Sequence, residues 1–354
     1  MGQTLSEPIT TKQSEEGSDD RLIYASSSMQ GWRITMEDAH TTILKLEDGD
    51  AKSTKNTSLF AVFDGHGGSN VALYCGKQLQ QLLVSNENYS DSVESGDFTK
   101  PLTESFLNLD VELRKDPKYV DEASGCTAVA CVISDDWKIT VANAGDSRIV
   151  LGSKTGEAIP LSFDHKPTND IETKRIAEAG GFVENGRVNG NLALSRAIGD
   201  FEFKKSTNLP PEQQVVTSNP DIIQRDLEEG DEFLVIACDG IWDCMSNQEV
   251  VDFVRYRITE KEGNLKEIAE DLMDYCLAPE CDLGSIGCDN MTVIIVGLTR
   301  GKSVEEWVSE IAKKTELVSQ VMKQKLKKQP LTPANYVEDS DSNVNGDVEE
   351  ETNY

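Results

Sequence analysis

The stretch Lys138-Ile-Thr-Val-Ala-Asn-Ala-Gly-Asp-Ser-Arg-Ile-Val-Leu151 reads as two strands separated by a turn. Residues 138–142 and 147–151 are rich in β-branched side chains, which suit a pleated, buried surface. The four residues between them, Asn143-Ala-Gly-Asp146, are turn formers. Together they predict a β-hairpin, and a hairpin implies antiparallel pairing.

Working outward, four more short apolar runs read as strands: 59–63, 127–133, 233–237 and 291–296. Helical patterns fall at 69–83, 101–114, 168–179, 247–258 and 265–276. The third of these ends at Gly180-Gly181, a helix stop, and the fourth opens after Ser246, a capping type. Strands and helices do not alternate regularly, which disfavours a doubly wound parallel sheet. An α+β fold is expected, with antiparallel sheets covered by helices.

The ends differ in character. Residues 1–20 are acidic and nearly free of apolar side chains, so they are expected to be disordered. A body over 21–299 follows. In the extension at 300–330, Ser303-Val-Glu-Glu306 is a capping box, and Val304, Trp307, Val308 and Ile311 mark one helical face. That helix is expected to run, increasingly Lys-rich, to Lys328. Residues 331–354 form an acidic, solvated tail. Met1-Gly2-Gln3-Thr4-Leu5-Ser6 fits the pattern for N-myristoylation of Gly2, which would give only weak membrane contact.

Bulk properties narrow the function. The net charge is −29 over 354 residues. Nucleic-acid binding needs Lys and Arg to displace counterions, so no nucleic-acid partner is expected. No apolar run is long enough to span a membrane, and the polar start is no signal peptide. The 8 Cys include no C-x-x-C pair and several lie in apolar runs, so they read as reduced core thiols. A cytoplasmic or nuclear location is expected.

Carboxylates recur where strands stop. Asp64-Gly-His-Gly-Gly68 follows Phe63, and Asp239-Gly-Ile-Trp-Asp243 follows Cys238. Asp289-Asn290 precedes Met291, Asp146 lies in the turn, and Glu37-Asp38 lies in Arg33-Ile-Thr-Met-Glu-Asp-Ala-His40. If the strands share sheets, these side chains gather at one edge. Clustered carboxylates repel one another and raise their own pKa values unless a divalent cation reverses the sign. All-oxygen ligation favours Mg²⁺, Mn²⁺ or Ca²⁺ over Zn²⁺, and the 3 His make zinc less suitable still. Two such ions suit displacement at phosphorus.

These runs, with Gly145-Asp-Ser-Arg148 and Asn191-Leu-Ala-Leu-Ser-Arg-Ala-Ile-Gly-Asp200, resemble the metal-dependent protein serine/threonine phosphatases (PPM, type 2C) of eukaryotic type, in the family's order. The resemblance spans roughly 23–298 and implies a central β-sandwich of two antiparallel sheets flanked by helices. It implies two Mg²⁺ or Mn²⁺ ions, with Asp64 bridging, the Gly65 carbonyl on one, Asp239 and Asp289 on the first, and Glu37 on the second, directly or through water. Asp38 would orient metal-bound waters. Asp146 and Asp243 would form a weaker third site. Arg33 would grip the substrate phosphate and His66 would act as general acid, with water attacking phosphorus directly. Phosphoproteins would be the partners of a monomeric enzyme. Cys126 stands where relatives often carry Ser or Thr, which implies a packing change without loss of activity.

Two other readings compete. A catalytically weak phosphoprotein-binding module on the same fold would be expected to lack ligands, and here the set is complete. A nuclease is disfavoured by the charge.

Overall fold

The computed structural model describes residues 4–46, 55–119, 122–281 and 285–314. Its centre is a sandwich of two antiparallel sheets. One has five strands, in the order Asp221–Asp226, Lys138–Ala144, Ala128–Ile133, Ser58–Phe63 and Ala39–Ile43. The other has six, in the order Ala158–Pro160, Arg148–Gly152, Phe233–Ala237, Met291–Gly297, Ile23–Met29 and Gln13–Ser18.

Period-two alternation sorts each strand between two apolar layers. Phe60, Val62, Val129 and Cys131 face inward against Ile149, Leu151, Leu234, Ile236, Ile294 and Val296 of the opposing sheet. Leu59, Ala61, Phe63, Ala130 and Val132 face outward, under the helices Asn70–Val84, Tyr89–Ser95 and Thr99–Lys115. The six-stranded sheet presents Val235, Val293 and Ile295 to the helices Asn247–Glu260, Leu265–Cys276 and Val304–Ala312. Burial on both faces explains why these strands read as unbroken apolar runs.

The expected 138–142/147–151 hairpin does not form. Lys138–Ala144 pairs with Ala128–Ile133 and Asp221–Asp226, whereas Arg148–Gly152 pairs with Ala158–Pro160 and Phe233–Ala237. Residues 145–147 instead carry the chain across the sandwich from one sheet to the other. Gly145 makes the crossing with φ +130°, and a Cβ there would lie 2.5 Å from Thr127 Cβ. Antiparallel pairing holds through a different hairpin, whose turn at 134–137 joins Ala128–Ile133 to Lys138–Ala144.

The start of the chain also departs from expectation. Within the segment read as disordered, Thr4–Ile9 pairs with Gly31–Arg33, and Gln13–Ser18 adds an edge strand to Ile23–Met29. Low hydrophobicity is no obstacle at an edge, where polar residues are favoured and the ladder satisfies the backbone. Side chains secure it further: Lys12 pairs with Asp274, Ser14 Oγ donates to Glu270 at 2.6 Å, and Thr42 donates to Glu15.

Two cysteines differ from the all-thiol reading, because Cys281 and Cys288 form a disulfide that closes a short loop before Asp289. The other six are free. Cys126 packs in the core with its sulfur 3.8 Å from that of Cys75. The capping box at Ser303 is present, and Trp307 and Ile311 enter the core of the six-stranded sheet. Gly2, the expected Lys-rich run of helix to Lys328 and the expected acidic tail fall outside the described residues. Among the described residues, no helix is long and apolar enough to cross a membrane.

Candidate metal centre

Antiparallel register decides where the acidic residues meet. Ala39 is opposite Phe63, Val62 opposite Val129, and Ala144 opposite Ala128. In the second sheet Ala237 lies opposite both Arg148 and Val293, and Met291 opposite Met29. All these termini therefore lie at one end of the sandwich. Asp64, Asp239 and Asp289 flank three of these strands, Glu37-Asp38 precedes a fourth, and Asp146 sits in the crossing between the sheets.

The tightest group is Asp64, Asp146 and Asp239, each offering a carboxylate oxygen with all three atoms within 4.8 Å of one another. A second group joins Asp38, Asp64 and the Cys238 sulfur on the same criterion. Burial and then the charges of Asp239, Asp38, Asp146 and Asp289, all negative, push Asp64 well above the usual carboxylate range. Asp239 is likewise well raised, by burial and then by Asp146, Asp289 and Asp243, with Lys166 opposing. Burial pushes Asp38 up to about 6, partly opposed by the Thr292 hydroxyl, which donates to it at 2.7 Å. Burial also raises Asp243, which follows the short helix Asp239–Trp242, against the pull of Lys166.

The remaining candidates lie around this core. Asp289 accepts from the Asn290 N–H at 2.7 Å and pairs with Arg33, whose side chain is 47% exposed. Glu37 accepts from Thr35 Oγ1 at 2.7 Å and from the Gly68 N–H at 3.0 Å. The Gly65 backbone pairs with Cys126. His66 Nε2 lies 2.8 Å from Asp200 Oδ2. Burial pulls His66 down, but the hydrogen bond and charge of Asp200 outweigh it, so its pKa is raised.

These residues suit hard divalent cations. Three mutually repelling carboxylates are costly, and the single charge of Lys166 offsets only part of that repulsion. Asp38 Oδ1 is buried without a hydrogen-bond partner, an oxygen that a cation or a water it holds would satisfy. The sulfur of Cys238 does not alter the preference. Burial raises that thiol well above its ordinary value, so it stays neutral, donating toward the Asn290 carbonyl at 3.6 Å and accepting from the Thr292 N–H at 3.2 Å.

Sequence reasoning assigned no role to four supporting residues. Lys166 pairs with Asp146, the candidate third-site ligand. Asn290 fastens the segment that bears Arg33 and Glu37. Its amide donates to the carbonyls of Gln30 and Thr35 at 2.8 and 2.9 Å and accepts from the Glu37 N–H at 3.0 Å. Thr292 holds Asp38, and Asp200 holds His66. Asn290 and Asp200 stood inside motifs already singled out. Lys166 and Thr292 carried no such signal, because their partners are 20 and 254 positions away. His165 also proves structural: Nδ1 accepts from the Gly145 N–H at 3.2 Å and Nε2 lies 3.1 Å from Asp221 Oδ2, so the ring steadies the crossing that carries Asp146.

The chain is similar to known proteins along most of its length. The family model described as Protein phosphatase 2C matches residues 23–282. Protein phosphatase 2C homolog 2 of Hypocrea jecorina is 56% identical over 317 residues, covering 89% of this chain and 71% of that protein. The protein of the same name in Schizosaccharomyces pombe is 50% identical over 314 residues, covering 89% and 83%. Among solved structures, a phosphatase from Toxoplasma gondii superposes with a TM-score of 0.68 at 28% identity, covering 81% of this chain and 96% of that one.

Proposed function

This chain belongs to the protein phosphatase 2C family and is a protein serine/threonine phosphatase, and we propose that it hydrolyses phosphoserine and phosphothreonine at a two-metal carboxylate site. The observation that supports this most is the meeting of Asp64, Asp146 and Asp239 within 4.8 Å where strands of both sheets end. Asp64, Asp239, Asp289, Glu37 and the Gly65 carbonyl would hold two Mg²⁺ or Mn²⁺ ions, and Asp146 with Asp243 a weaker third. When bound, such ions supply an activated water and offset negative charge at the phosphoryl group.

The chain's own residues do the rest. Asp38, with one buried oxygen unpaired, is placed to accept a hydrogen bond from a water at the site. Arg33 offers a planar fork for two parallel hydrogen bonds to a phosphate. Its partner Asp289 is also one of the carboxylates that would hold an ion, so the guanidinium lies beside the proposed phosphate position. His66, whose pKa the hydrogen bond and charge of Asp200 raise against the effect of burial, would donate a proton to the departing serine or threonine oxygen. Phosphoproteins of the cytoplasm or nucleus are the proposed substrates.

The test is hydrolysis of a phosphothreonine peptide with chelator, with Mg²⁺ and with Mn²⁺. Turnover that disappears with chelator and returns with either ion is expected. Undiminished turnover in chelator would refute the metal site.

A further inference from the structure

A small three-stranded sheet beside the carboxylates has Gly125–Cys126 at its centre, between Gly65–His66 and Ile198–Gly199. His66 and Gly199 both lie opposite Gly125, one from each side. Gly125 has no side chain, and a Cβ there would lie 2.2 Å from Asp200 Oδ2 and 2.7 Å from His66 Nε2. The imidazole and the carboxylate therefore meet across the gap this glycine leaves, at 2.8 Å.

The segment bearing Asp200 is itself clamped. Asp110 accepts from the Gly199 N–H at 2.8 Å and pairs with Lys204, whose ammonium also donates to the Ala197 carbonyl at 2.8 Å. Arg114 stacks 4.1 Å from the Phe201 ring centroid. Asp200 is only 6% exposed, so its carboxylate has little freedom to leave His66. Such second-layer carboxylates fix both the orientation and the tautomer of a histidine.

We propose that Asp200 is the positioning residue for His66, holding the proton on Nε2 so that Nδ1 is the nitrogen that serves the leaving oxygen. This rests on the reading of His66 as general acid. As a water oxygen bonds to phosphorus and the ester bond breaks, the seryl or threonyl oxygen keeps the bonding pair and takes the Nδ1 proton. The ring is left neutral, with its remaining proton on Nε2 and shared with Asp200.

The test compares kcat of wild type, Asp200→Ala, His66→Gln and the double variant on a phosphothreonine peptide and on p-nitrophenyl phosphate. Nitrophenolate departs without a proton, so a role through His66 affects the two substrates differently, whereas general damage to the fold does not. A positioned general acid contributes about 10²- to 10⁴-fold, and loss of its positioning is expected to remove roughly 10- to 100-fold of that on the peptide. The nitrophenyl ester should lose less than about threefold, and Asp200→Ala should add nothing in the His66→Gln background. If Asp200→Ala unfolds, Asp200→Asn keeps the shape and carries the same comparison. Equal losses on both substrates, or a full additional loss in the double variant, overturn the positioning role.

If His66→Gln is itself unselective, the general-acid reading fails, and the pairing is judged separately by ¹⁵N NMR of the ring-labelled, Mg²⁺-loaded protein. With 3 His in the chain, His66 is assigned by its absence in His66→Gln. Neutral His66 in the Nε2–H form, becoming mixed in Asp200→Ala, supports the pairing; an Nδ1–H form overturns it.

Discussion

Replacing Asp64 by Asn should stabilise the metal-free protein while removing its response to metal. Oxygens of Asp64, Asp146 and Asp239 lie within 4.8 Å of one another. At an effective dielectric constant of about 20, two unit charges 4.8 Å apart repel by roughly 3.5 kcal/mol. Asp64→Asn deletes two such pairs, roughly 7 kcal/mol of repulsion if every group stays ionised. A second limit is lower. The metal-free protein can always place a proton on Asp64, whose ordinary value is 3.8. At pH 7 that costs about 4 kcal/mol, at 1.36 kcal/mol per pH unit.

The expected gain is therefore roughly 2–4 kcal/mol at pH 7. Because the folded pKa of Asp64 is raised, its penalty is absent below pH 4 and grows as pH rises. The advantage of the variant should follow that course. Thermal melts in chelator should show the variant higher by roughly 5 °C or more for a domain of this size. With Mn²⁺ at 100 times its Kd, wild type should gain about 2.7 kcal/mol and the variant little. A metal-free variant that melts at or below wild type at pH 7, or that keeps the full Mn²⁺ response, would refute the reasoning.

Three further outcomes are expected. Glu172, 2% exposed, accepts from Arg196, Arg175 and Ser195. Burial alone would raise it, yet its hydrogen bonds and the two guanidinium charges bring it down from 4.5 to about 2. Arg196 is the stronger partner, donating from Nε at 3.1 Å and from Nη2 at 2.7 Å against one Arg175 bond at 2.7 Å. Since 4.5 − 2 is about 2.5 pH units, Glu172→Gln should cost roughly 3 kcal/mol in urea unfolding at pH 7. The contribution is complete above pH 4.5 and fades as pH falls toward 2, so a deficit that does not shrink on acidification contradicts the assignment. Cys281→Ser should lower stability by about 2 kcal/mol, the loop-closure value for a separation of 7 residues, and a reductant should then leave the variant's melting unchanged. Activity should fall on the acid side as Asp38 and its neighbours take up protons, and added Mn²⁺ should move that limb to lower pH; a limb indifferent to metal would exclude proton–metal competition.

Much of the architecture was legible because the outward and inward layers both demand apolar side chains. The strands at 233–237 and the helix at 265–276 carry their expected bounds for that reason. The stretch 138–151 misled because turn chemistry reports a change of direction and not which neighbour the next strand will choose. Thr127, Gly145 and His165 make that choice through contacts that no local pattern encodes. The edge strands at the start escaped notice because a polar strand draws its stability from a ladder supplied by another part of the chain. The Cys281–Cys288 bond was missed because loop proximity, not spacing type, decides it.

The sequence by itself determined the chemistry of the site: oxygen donors at strand ends, few histidines, and a motif order that points to phosphoryl transfer. Only the tertiary structure decided how those donors are grouped and supported. It places Asp146 with Asp64 and Asp239, ties Arg33 to Asp289, and sets His66 against Asp200 across the gap at Gly125. The physical reason is one of range. A carboxylate's identity is a local property, but its charge state and its partner depend on groups brought within a few ångströms by register between strands far apart in the chain.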